Sequence, residues 1–437
     1  MPLVAVVGAG LAGLAAGLEL RRRGLEVEIF ERSRLVGGKA ASFEAGGADL
    51  DTGQHVFLGC FDQWLGLVRE VGMEDDLFLQ PRFEVRIFAR GRGSVRLRAG
   101  RLPSPGHLLP ALLAHRFLGW DGRLQVARAL LAAGGPSLGA GPAGLTLAAW
   151  LDRLGQGEAA RSAFWEPFLV PAPNAPLDEA RAEDGRFVIR TAFLGPASAS
   201  RIGWTTVPLG RVAEAAAKRA GTLHLRAAVT ALDLEPDERG ERLVAVRVGG
   251  ERRDFDGAVL ALPPGPLARL LGDPARYGVG GLDGLRPQPI VDVHLWYAAS
   301  SLGLGFAALI GSPVHWVFEK DPGHLCCSLS AAGALVGRPE DELRELCHRE
   351  LSAVLEPLRG LRPRRALATR DPQPTYVAAP GAKRPGSGTA IPNVTIAGAW
   401  TDTGWPATME SAVRSGQTAA RLLADQLVQW REGELVA

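Results

Sequence analysis

The start of the chain predicts a strand, a helix and a second strand in quick succession. The first strand spans Leu3 to Val7, the helix spans Leu11 to Arg23 and closes at Gly24, and the second strand spans Glu26 to Glu31. A strand, helix and strand of about 30 residues form a βαβ unit, whose right-handed crossover makes the two strands parallel. The chain therefore opens with the first unit of a parallel sheet.

Strict alternation of apolar and polar residues predicts another strand from Ile290 to Tyr297. Asp292, His294 and Trp296 fall on one face of this strand, and its valines, leucine and tyrosine fall on the other. A buried polar face would suit a cavity wall, whereas an exposed one would be a solvent face with Trp296 partly covered. The pattern leaves both interpretations open.

Weaker periodic segments fill most of the remaining chain. Further strands are predicted as a hairpin over Phe83–Leu97 and at Thr222–Leu225, Ala228–Glu235, Arg242–Val248, Ala258–Ala261, Val314–Glu319, Leu325–Ser330 and Arg365–Asp371. Helices are predicted at Gln63–Val71, Thr146–Leu154, Glu158–Phe168, Val207–Arg219 and Glu340–Leu355, and helical, apolar sequence runs from Ser104 to Ala133. A Gly/Pro linker is predicted at 134–144 and irregular structure at 375–391.

Composition narrows the class of protein without naming a ligand. With 437 residues the chain exceeds a single-core domain, and its formal net charge of +2 gives no general attraction to nucleic acid. The four cysteines form no CxxC pair and the eight histidines have no metal-ligand spacing, so we expect a reducing cytoplasm and no metal site. We see no signal peptide and no apolar run of about 18 residues, so a spanning helix is not expected.

The glycines between the first strand and helix predict a dinucleotide cradle. Gly8, Gly10 and Gly13 form a GxGxxG motif, in which the first glycine permits a tight turn, the second admits a pyrophosphate and the third packs helix on strand. The N–H groups at the start of that helix then face the phosphates. Glu31 ends the second strand, where an acid can bond a ribose hydroxyl.

Two further segments favour FAD over NAD. Gly37, Gly38 and Lys39 resemble the second glycine pair of FAD proteins, although that family usually has Arg where this chain has Lys39. Near the C-terminus, a glycine-rich strand end passes into a helix start at Thr408-Met409-Glu410. The predicted cofactor residues are Gly8, Gly10, Leu11, Ala12, Gly13, Glu31, Arg32, Gly37, Gly38, Lys39, Val229, Gly398, Asp402, Ala407, Thr408 and Met409.

These motifs resemble the superfamily of phytoene desaturases and amine oxidases. Segments across most of the chain resemble one branch, the squalene-associated flavoproteins called hydroxysqualene dehydroxylases; they include 53–59, 165–167, 291–296, 311–318 and 401–410. The resemblance implies reduction of hydroxysqualene to squalene, on a path to hopanoids or other triterpenes. It also implies a C30 isoprenoid substrate and an external electron donor. In this family an acid often stands where the chain has Ala399, and Asp402 is the candidate to compensate for it.

The expected fold is α/β, with a Rossmann-type FAD-binding domain of the amine-oxidase kind and an inserted α+β substrate domain on a mixed sheet. The FAD-binding domain would comprise residues 1–80, 205–285 and 386–437, and the substrate domain 81–204 and 286–385. The alternatives are a phytoene or carotene desaturase with the opposite hydride direction, and a non-catalytic prenyl-lipid escort protein. An amine oxidase is disfavoured because no aromatic cage for an amine is identifiable.

The candidate catalytic residues are His55, Gln54, Asp292 and His294. Departure of a hydroxyl as water requires an acid near the oxygen, and His55 is the first candidate for it, with a core histidine as the alternative. The resulting carbocation requires electron-rich walls, for which aromatic side chains are suited. Plausible walls are Trp165, Phe168, Trp204, Trp296 and Trp316.

Residues 101–133 are a candidate membrane-docking segment. Apolar helical sequence there could lie on a bilayer and admit a lipid substrate, or it could be buried in the substrate domain. We expect apolar insertion to drive docking, largely independently of salt. The protein would then be cytoplasmic and would contact the inner face of the cytoplasmic membrane.

Overall fold

A computed structural model gives the fold of residues 1–135, 143–237 and 240–436, with side chains up to residue 429. Most of the predicted linker at 134–144 therefore lies outside the described residues. No helix in these described ranges is long and apolar enough to cross a membrane.

Twelve α-helices occur in the described part of the chain. They are α1 (Leu11–Arg22), α2 (Asp62–Glu70), α3 (Leu109–Ala114), α4 (Trp120–Gly134), α5 (Leu147–Arg153), α6 (Glu158–Ala160), α7 (Glu166–Leu169), α8 (Ala182–Val188), α9 (Gly210–Ala220), α10 (Pro264–Leu271), α11 (Glu340–Val354) and α12 (Met409–Val436). Helices α6 and α7 are joined by a π-helical turn at Arg161–Trp165, so the helix predicted at 158–168 is one continuous segment.

The strands in chain order are β1 (Leu3–Val7), β2 (Glu26–Glu31), β3 (Ser42–Ala45), β4 (Ala48–Asp51), β5 (Phe57–Leu58), β6 (Leu77–Leu79), β7 (Glu84–Ala89), β8 (Gly93–Arg98), β9 (Ile202–Thr205), β10 (Thr222–Leu225), β11 (Val229–Asp237), β12 (Gly240–Val248), β13 (Glu251–Asp254), β14 (Gly257–Leu260), β15 (Leu285–Trp296), β16 (Phe306–Ile310), β17 (Trp316–Asp321), β18 (His324–Leu329), β19 (Arg365–Ala378) and β20 (Val394–Ile396).

The predicted parallel sheet is present and gathers strands from distant parts of the chain. Its order is β10-β2-β1-β14-β20, and all four pairings are parallel. Helices α1, α9 and α12 pack together on one side, where Gly17 lies against Ala220 and Gly416 against Ala12. The absence of side chains on both glycines lets the helix backbones approach closely.

The second large sheet is mixed and has the order β19-β15-β18-β17-β16-β7-β8. Only β16 and β7 run parallel, and the other neighbours are antiparallel. One face packs on α11 through Val291, Val293 and Leu295, which contact Leu343 and Leu351 in a shared core. The α/β prediction with a Rossmann-type sheet and a second mixed sheet is therefore confirmed.

Several predicted boundaries are wrong. Strand β19 continues to Ala378, so the irregular segment predicted from residue 375 begins later. Strand β15 begins at Leu285 rather than Ile290, because a register shift between Gln288 and Ile290 lets pairing with β19 continue past two prolines. Sequence patterns also missed α8, α10, β9 and β16, which are short elements supported by tertiary contacts.

Candidate active site

The GxGxxG loop has the shape of a dinucleotide cradle. Gly8 has a φ of 107°, and a side chain there would overlap the Ala261 carbonyl oxygen. A side chain at Gly13 would overlap the Gly8 carbonyl oxygen. Gly10 differs, because the nearest protein atom to an added Cβ is the Gly37 carbonyl oxygen at 4.0 Å. The second glycine therefore borders open space, as a site for a pyrophosphate requires.

The second glycine pair lies directly against this loop. The Gly37 N–H donates to the Ala9 carbonyl at 2.8 Å, and Gly37 adopts a φ of 104°. The Cβ of a side chain at Gly38 would come within 3.2 Å of Gly10 Cα. Two glycine loops thus border the same space, next to the N-terminal N–H groups of α1, which have no intrahelical acceptors.

Glu31 is placed at the same edge and keeps acceptor capacity. Its carboxylate accepts the Ala9 N–H at 2.9 Å and the Ser33 N–H at 2.8 Å. A carboxylate offers about four lone-pair sites, so two remain for a ligand hydroxyl. The Ala227 N–H donates to the Glu31 carbonyl at 2.9 Å, which positions the segment leading to Val229 beside the end of β2.

The C-terminal motif reaches the cradle through the parallel sheet. In the register of β1, β14 and β20, Val7 pairs with Leu260 and Leu260 with Ile396, so Gly8 and Gly398 follow strands that end at one edge. The carboxyl edge of a parallel sheet is where such folds bind ligands. Helix α12 begins there, and the Thr408 hydroxyl accepts the Ser411 N–H at 3.3 Å as its cap.

Two of the predicted cofactor side chains also have protein partners. The Lys39 ammonium pairs with Asp371 of β19 at 2.8 Å. The exposed Asp402 accepts the N–H of Gly404 at 3.3 Å within its own turn. Arg32 is exposed. The structure brings the glycines, Glu31 and the start of α12 to one region, and cofactor contacts of Lys39, Asp402 and Arg32 stay predictions.

The polar face of β15 is buried. Asp292 is only 1% exposed, and its Oδ2 accepts the Gln54 N–H at 2.8 Å. Its Oδ1 has no hydrogen-bond partner among the described residues, and burial raises the pKa of the Asp292 carboxyl even though Ser328 and Gln54 donate to it. Burial therefore makes this carboxyl hold its proton to a higher pH than an exposed aspartate does.

Gln54 and His55 lie at the junction between this face and the cradle. The Lys320 ammonium donates to Gln54 Oε1 at 3.1 Å, which holds the segment against β17. His55 is half-buried, and its Nδ1 lies 2.6 Å from the Gly53 carbonyl oxygen. Because a carbonyl only accepts, Nδ1 carries a proton and Nε2 is the ring nitrogen that gains or loses one.

His294 is buried in a different arrangement. Its Nδ1 lies 3.0 Å from His324 Nε2, and its Nε2 lies 3.9 Å from the Cys326 thiol. Burial, together with nearby His324, lowers the pKa of His294 to about 3, so the ring is neutral near pH 7. A neutral imidazole held by its neighbours is a weak proton donor.

Across the sheet, from one strand to the next, the residues on this face change from polar to aromatic. Asp292 is opposite Ser328, and Ser328 is opposite Trp316. One row along, Cys326 is opposite both His294 and Phe318, and Phe318 is opposite Phe306. The polar groups therefore occupy β15 and β18, and the aromatic rings occupy β17 and β16.

Of the five aromatic walls expected from sequence, three join one cluster. Phe168 lies 6.4 Å from Trp316 by ring centroid, and Trp204 lies 5.6 Å from Phe306, which itself lies 5.6 Å from Trp316. Trp165 is fully buried and donates to Gln156, as a core residue does. Trp296 stacks instead on His324 at 4.3 Å.

Sequence reasoning missed Lys320, Ser328 and Phe306 as members of this region. Lys320 meets Gln54 through a side-chain hydrogen bond, Ser328 meets Asp292 through strand pairing, and Phe306 meets Trp316 through a ring contact. The alternation of Leu325–Ser330 could have placed Ser328 on one face, but only the register identifies Asp292 as its partner.

Comparison with known proteins agrees with this geometry. The family model described as "Flavin containing amine oxidoreductase" matches residues 11–424. A hydroxysqualene dehydroxylase of Rhodopseudomonas palustris is 31% identical over 458 aligned residues, which cover 96% of this chain and 98% of that protein. A 15-cis-phytoene desaturase of Synechococcus elongatus is 27% identical, with 97% of this chain and 96% of that protein covered.

The fold is also that of a solved oxidase. Cyclohexylamine oxidase from Brevibacterium oxydans superposes with a TM-score of 0.73 and 18% identity, covering 98% of this chain and 99% of that one. At this identity the similarity establishes the shared fold, and the two near full-length relatives carry the information on chemistry.

Proposed function

The chain belongs to the family of flavin-containing amine oxidoreductases, and from that premise we propose that it reduces hydroxysqualene to squalene. FAD is the cofactor. The observation that carries the proposal is a single buried sheet face that joins protic groups to an aromatic cluster and is tied to the cradle through Gln54. Removal of the hydroxyl from a long allylic alcohol requires both the protic groups and the aromatic cluster of that face.

We propose that the cradle residues hold the cofactor by backbone and by one carboxylate. Gly10 and Gly38 leave room for the pyrophosphate, α1 and α12 direct N–H groups at it and at the flavin end, and Glu31 binds the ribose. In its reduced form the bound cofactor would supply the hydride that replaces the departing hydroxyl. Lys39 would support the loop through Asp371 rather than contact a phosphate.

In this proposal His55 is the acid that protonates the departing hydroxyl. Its Nδ1 is fixed on the Gly53 carbonyl, so the doubly protonated ring presents the Nε2 proton. Its partial exposure lets that nitrogen meet a ligand, whereas the unpartnered oxygen of Asp292 is fully buried. Asp292 is then a positioning residue, because it holds the Gln54 N–H and thereby the segment that carries His55.

The aromatic cluster would stabilise the positive charge that develops on the substrate when water leaves. Phe168, Trp204, Phe306 and Trp316 present ring faces within one apolar core, and such faces stabilise cations. These apolar side chains would exclude water from the cation. Water would otherwise add to the cation and return it to an alcohol. The neutral state of His294 adds no competing positive charge beside it.

A desaturase is the second candidate, and the relative from Synechococcus elongatus favours it specifically. Desaturation releases a proton, so His55 would act there as a base with Nε2 unprotonated. The two reactions therefore differ in the His55 form that they need. Product analysis with both substrates separates them directly.

The decisive experiment combines product analysis with one substitution. Holoenzyme reduced with dithionite should convert hydroxysqualene to squalene, and the oxidised enzyme should leave phytoene unchanged. His55→Ala should slow the conversion by about 100-fold or more, the contribution of a general acid, while its FAD content is retained. His107→Ala is a control, because His107 is buried beside Ser200 and away from Gln54.

Three outcomes would count against the proposal. Phytoene desaturation without squalene formation would replace it with the desaturase. A wild-type rate in His55→Ala would clear His55 and direct attention to Asp292. A purified protein without flavin absorbance would favour a non-catalytic prenyl-lipid escort protein.

We also propose that the enzyme meets its substrate at the inner face of the cytoplasmic membrane. A C30 isoprenoid partitions into bilayers, so the enzyme must take it from that phase. Helices α3 and α4 pack on the same core that contains Phe168 and Phe306, so their outer side is the short route from a bilayer to the aromatic cluster.

A further inference from the structure

Helix α4 buries one side and exposes large apolar side chains, together with Asp121 and Arg128, on the other. Its inner side packs into the substrate core through Val126, Ala129 and Ala133, which are fully buried. Its outer side carries Trp120, Leu124 and Leu131, at helical spacing, with Trp120 74% and Leu131 70% exposed. A helix that covers a core normally turns polar residues outward. The outer side is therefore built to contact something apolar.

The preceding segment extends this surface. Leu102, Leu109 and Leu113 are each about half exposed, whereas Leu112 beside them is buried in the core. Single exposed leucines need no explanation, but six large apolar side chains within residues 102–131 form a concentration that marks an interaction surface. We call the exposed side chains of 102, 109, 113, 120, 124 and 131 the apolar face.

The segment that carries the apolar face is rich in arginine. Residues 82–135 contain ten arginines and two acidic residues, a formal charge of +8, although the whole chain carries only +2. The rest of the chain is therefore net acidic, and the positive charge is concentrated in this segment. Glu84, one of the two acids, is already paired with Arg96 and Arg98.

Several of these arginines are held beside the apolar face without a carboxylate. Arg123 lies 4.8 Å over the ring of Trp120, and Arg92 and Arg116 lie 5.1 and 5.5 Å from the ring of Phe117. Within the part of the chain that the structure describes, these three and the exposed Arg101 and Arg128 have no ion-pair partner. Their charge is available to a ligand.

We propose that the apolar face and its arginines dock the protein on an anionic bilayer surface. Trp and Leu side chains enter the boundary between headgroups and acyl chains, and the arginines contact lipid phosphates. Charge complementarity selects this occupant, because a protein partner for six apolar side chains would not require a ring of unpaired arginines. The inner side of α4 packs in the same core as the aromatic cluster.

The exposed arginines change the expectation about salt. Insertion of apolar side chains alone would be insensitive to salt, whereas contacts between arginines and anionic headgroups weaken as salt screens them. Docking should accordingly depend on both the lipid charge and the apolar side chains. These two dependences can be measured separately.

The test measures binding of purified holoenzyme to vesicles by flotation. Vesicles of phosphatidylcholine with about one-third phosphatidylglycerol should bind the protein, and vesicles of phosphatidylcholine alone should bind it at least tenfold less. Salt of about 0.5 M should release most of it. Replacing Arg116 and Arg128 by Ala should weaken binding about fivefold per arginine, since each contributes about 1 kcal/mol near an anionic surface.

Variants of the apolar face complete the test. Trp120→Ser with Leu124→Ser should weaken binding about tenfold or more, because buried apolar area is lost. Val428→Ser is the matched control, since Val428 is 56% exposed on α12, and Arg269→Ala with Arg359→Ala is the matched control for charge. Both control variants should bind as the wild type does.

Equal binding to neutral and anionic vesicles would overturn the role of the arginines. No binding to either kind, or losses as large in the control variants, would overturn the docking surface itself. Vesicle binding is read without turnover, so failure of this proposal is distinct from failure of the dehydroxylase activity. A protein that binds anionic vesicles but forms no squalene would leave the docking surface intact.

Discussion

Gly10 and Gly13 should respond in opposite ways to the same substitution, although both belong to one GxGxxG motif. Gly10 has an extended backbone, with φ −74° and ψ 175°, which any residue adopts. A side chain there meets no protein atom closer than 4.0 Å, whereas one at Gly13 overlaps the Gly8 carbonyl oxygen. Gly10→Val should therefore leave the apo-protein folded, and Gly13→Val should destabilise it.

The magnitudes follow from this geometry. Replacing a glycine at a compatible position changes the free energy of unfolding by about 0.4–1 kcal/mol in the stabilising direction, through the unfolded chain. Overpacking at Gly13 should cost about 1–3 kcal/mol or more. The same overpacking in Gly10→Val occurs only when the pyrophosphate is bound. A loss of about 3 kcal/mol there corresponds to roughly 100-fold weaker FAD binding.

Two measurements on apo-protein separate the effects. Urea unfolding should give Gly10→Val a stability at or slightly above that of the wild type, and Gly13→Val a lower one. Titration with FAD, followed by flavin fluorescence, should show loss of binding in Gly10→Val. Gly337→Val is the control, since it adds the same side chain in open space on an exposed loop. Wild-type FAD affinity in Gly10→Val would refute the placement of the pyrophosphate.

Two further predictions concern carboxyl groups. Glu31→Gln should weaken FAD binding by about 1–3 kcal/mol, the range for losing a charged hydrogen bond, and an unchanged affinity in equilibrium titration would remove Glu31 from the cofactor site. Because burial raises the pKa of Asp292, its neutral form stabilises the folded protein below about pH 4, and this stability is lost as pH rises through the folded pKa. In the wild type the urea unfolding midpoint should therefore fall as the pH rises from about 4 through the folded pKa. Asp292→Asn should reduce this fall. Identical pH profiles of the midpoint in the variant and the wild type would contradict the raised pKa.

Local pattern was sufficient for the elements that the chain specifies by itself. The bounds of β1, β2 and β10 match the prediction residue for residue, because apolar runs end at glycines or charged residues there. Helix α11 was predicted within one residue, since acidic residues fill its first turn and apolar ones recur at helical spacing. The cofactor glycines could be found for the same reason, as each serves a turn or a close approach in its own neighbourhood.

Elements that depend on a distant partner were missed or misjudged. Phe306–Ile310 is a five-residue apolar run, and only its parallel pairing with β7, more than two hundred residues earlier, makes it an interior strand. Lys39 was noted as a cofactor residue from its position after two glycines, and the structure adds Asp371 at 2.8 Å from its ammonium. No pattern near Lys39 indicates Asp371, because the two meet through the fold.

The same dependence on partners that are distant in sequence applies to the candidate site. Glu410 is the last residue of the C-terminal motif, yet its fully buried carboxylate accepts the N–H groups of Gln63 and Trp64 and so caps α2. That helix follows the segment that carries Gln54 and His55, and Asp292 holds the same segment from the other sheet. The chain between the cradle and α2 is thus fixed at one end by α12 and at the other by β15. His55 obtains its position from two partners more than two hundred residues away, which is why its residue type could be noticed in the sequence but its neighbours could not.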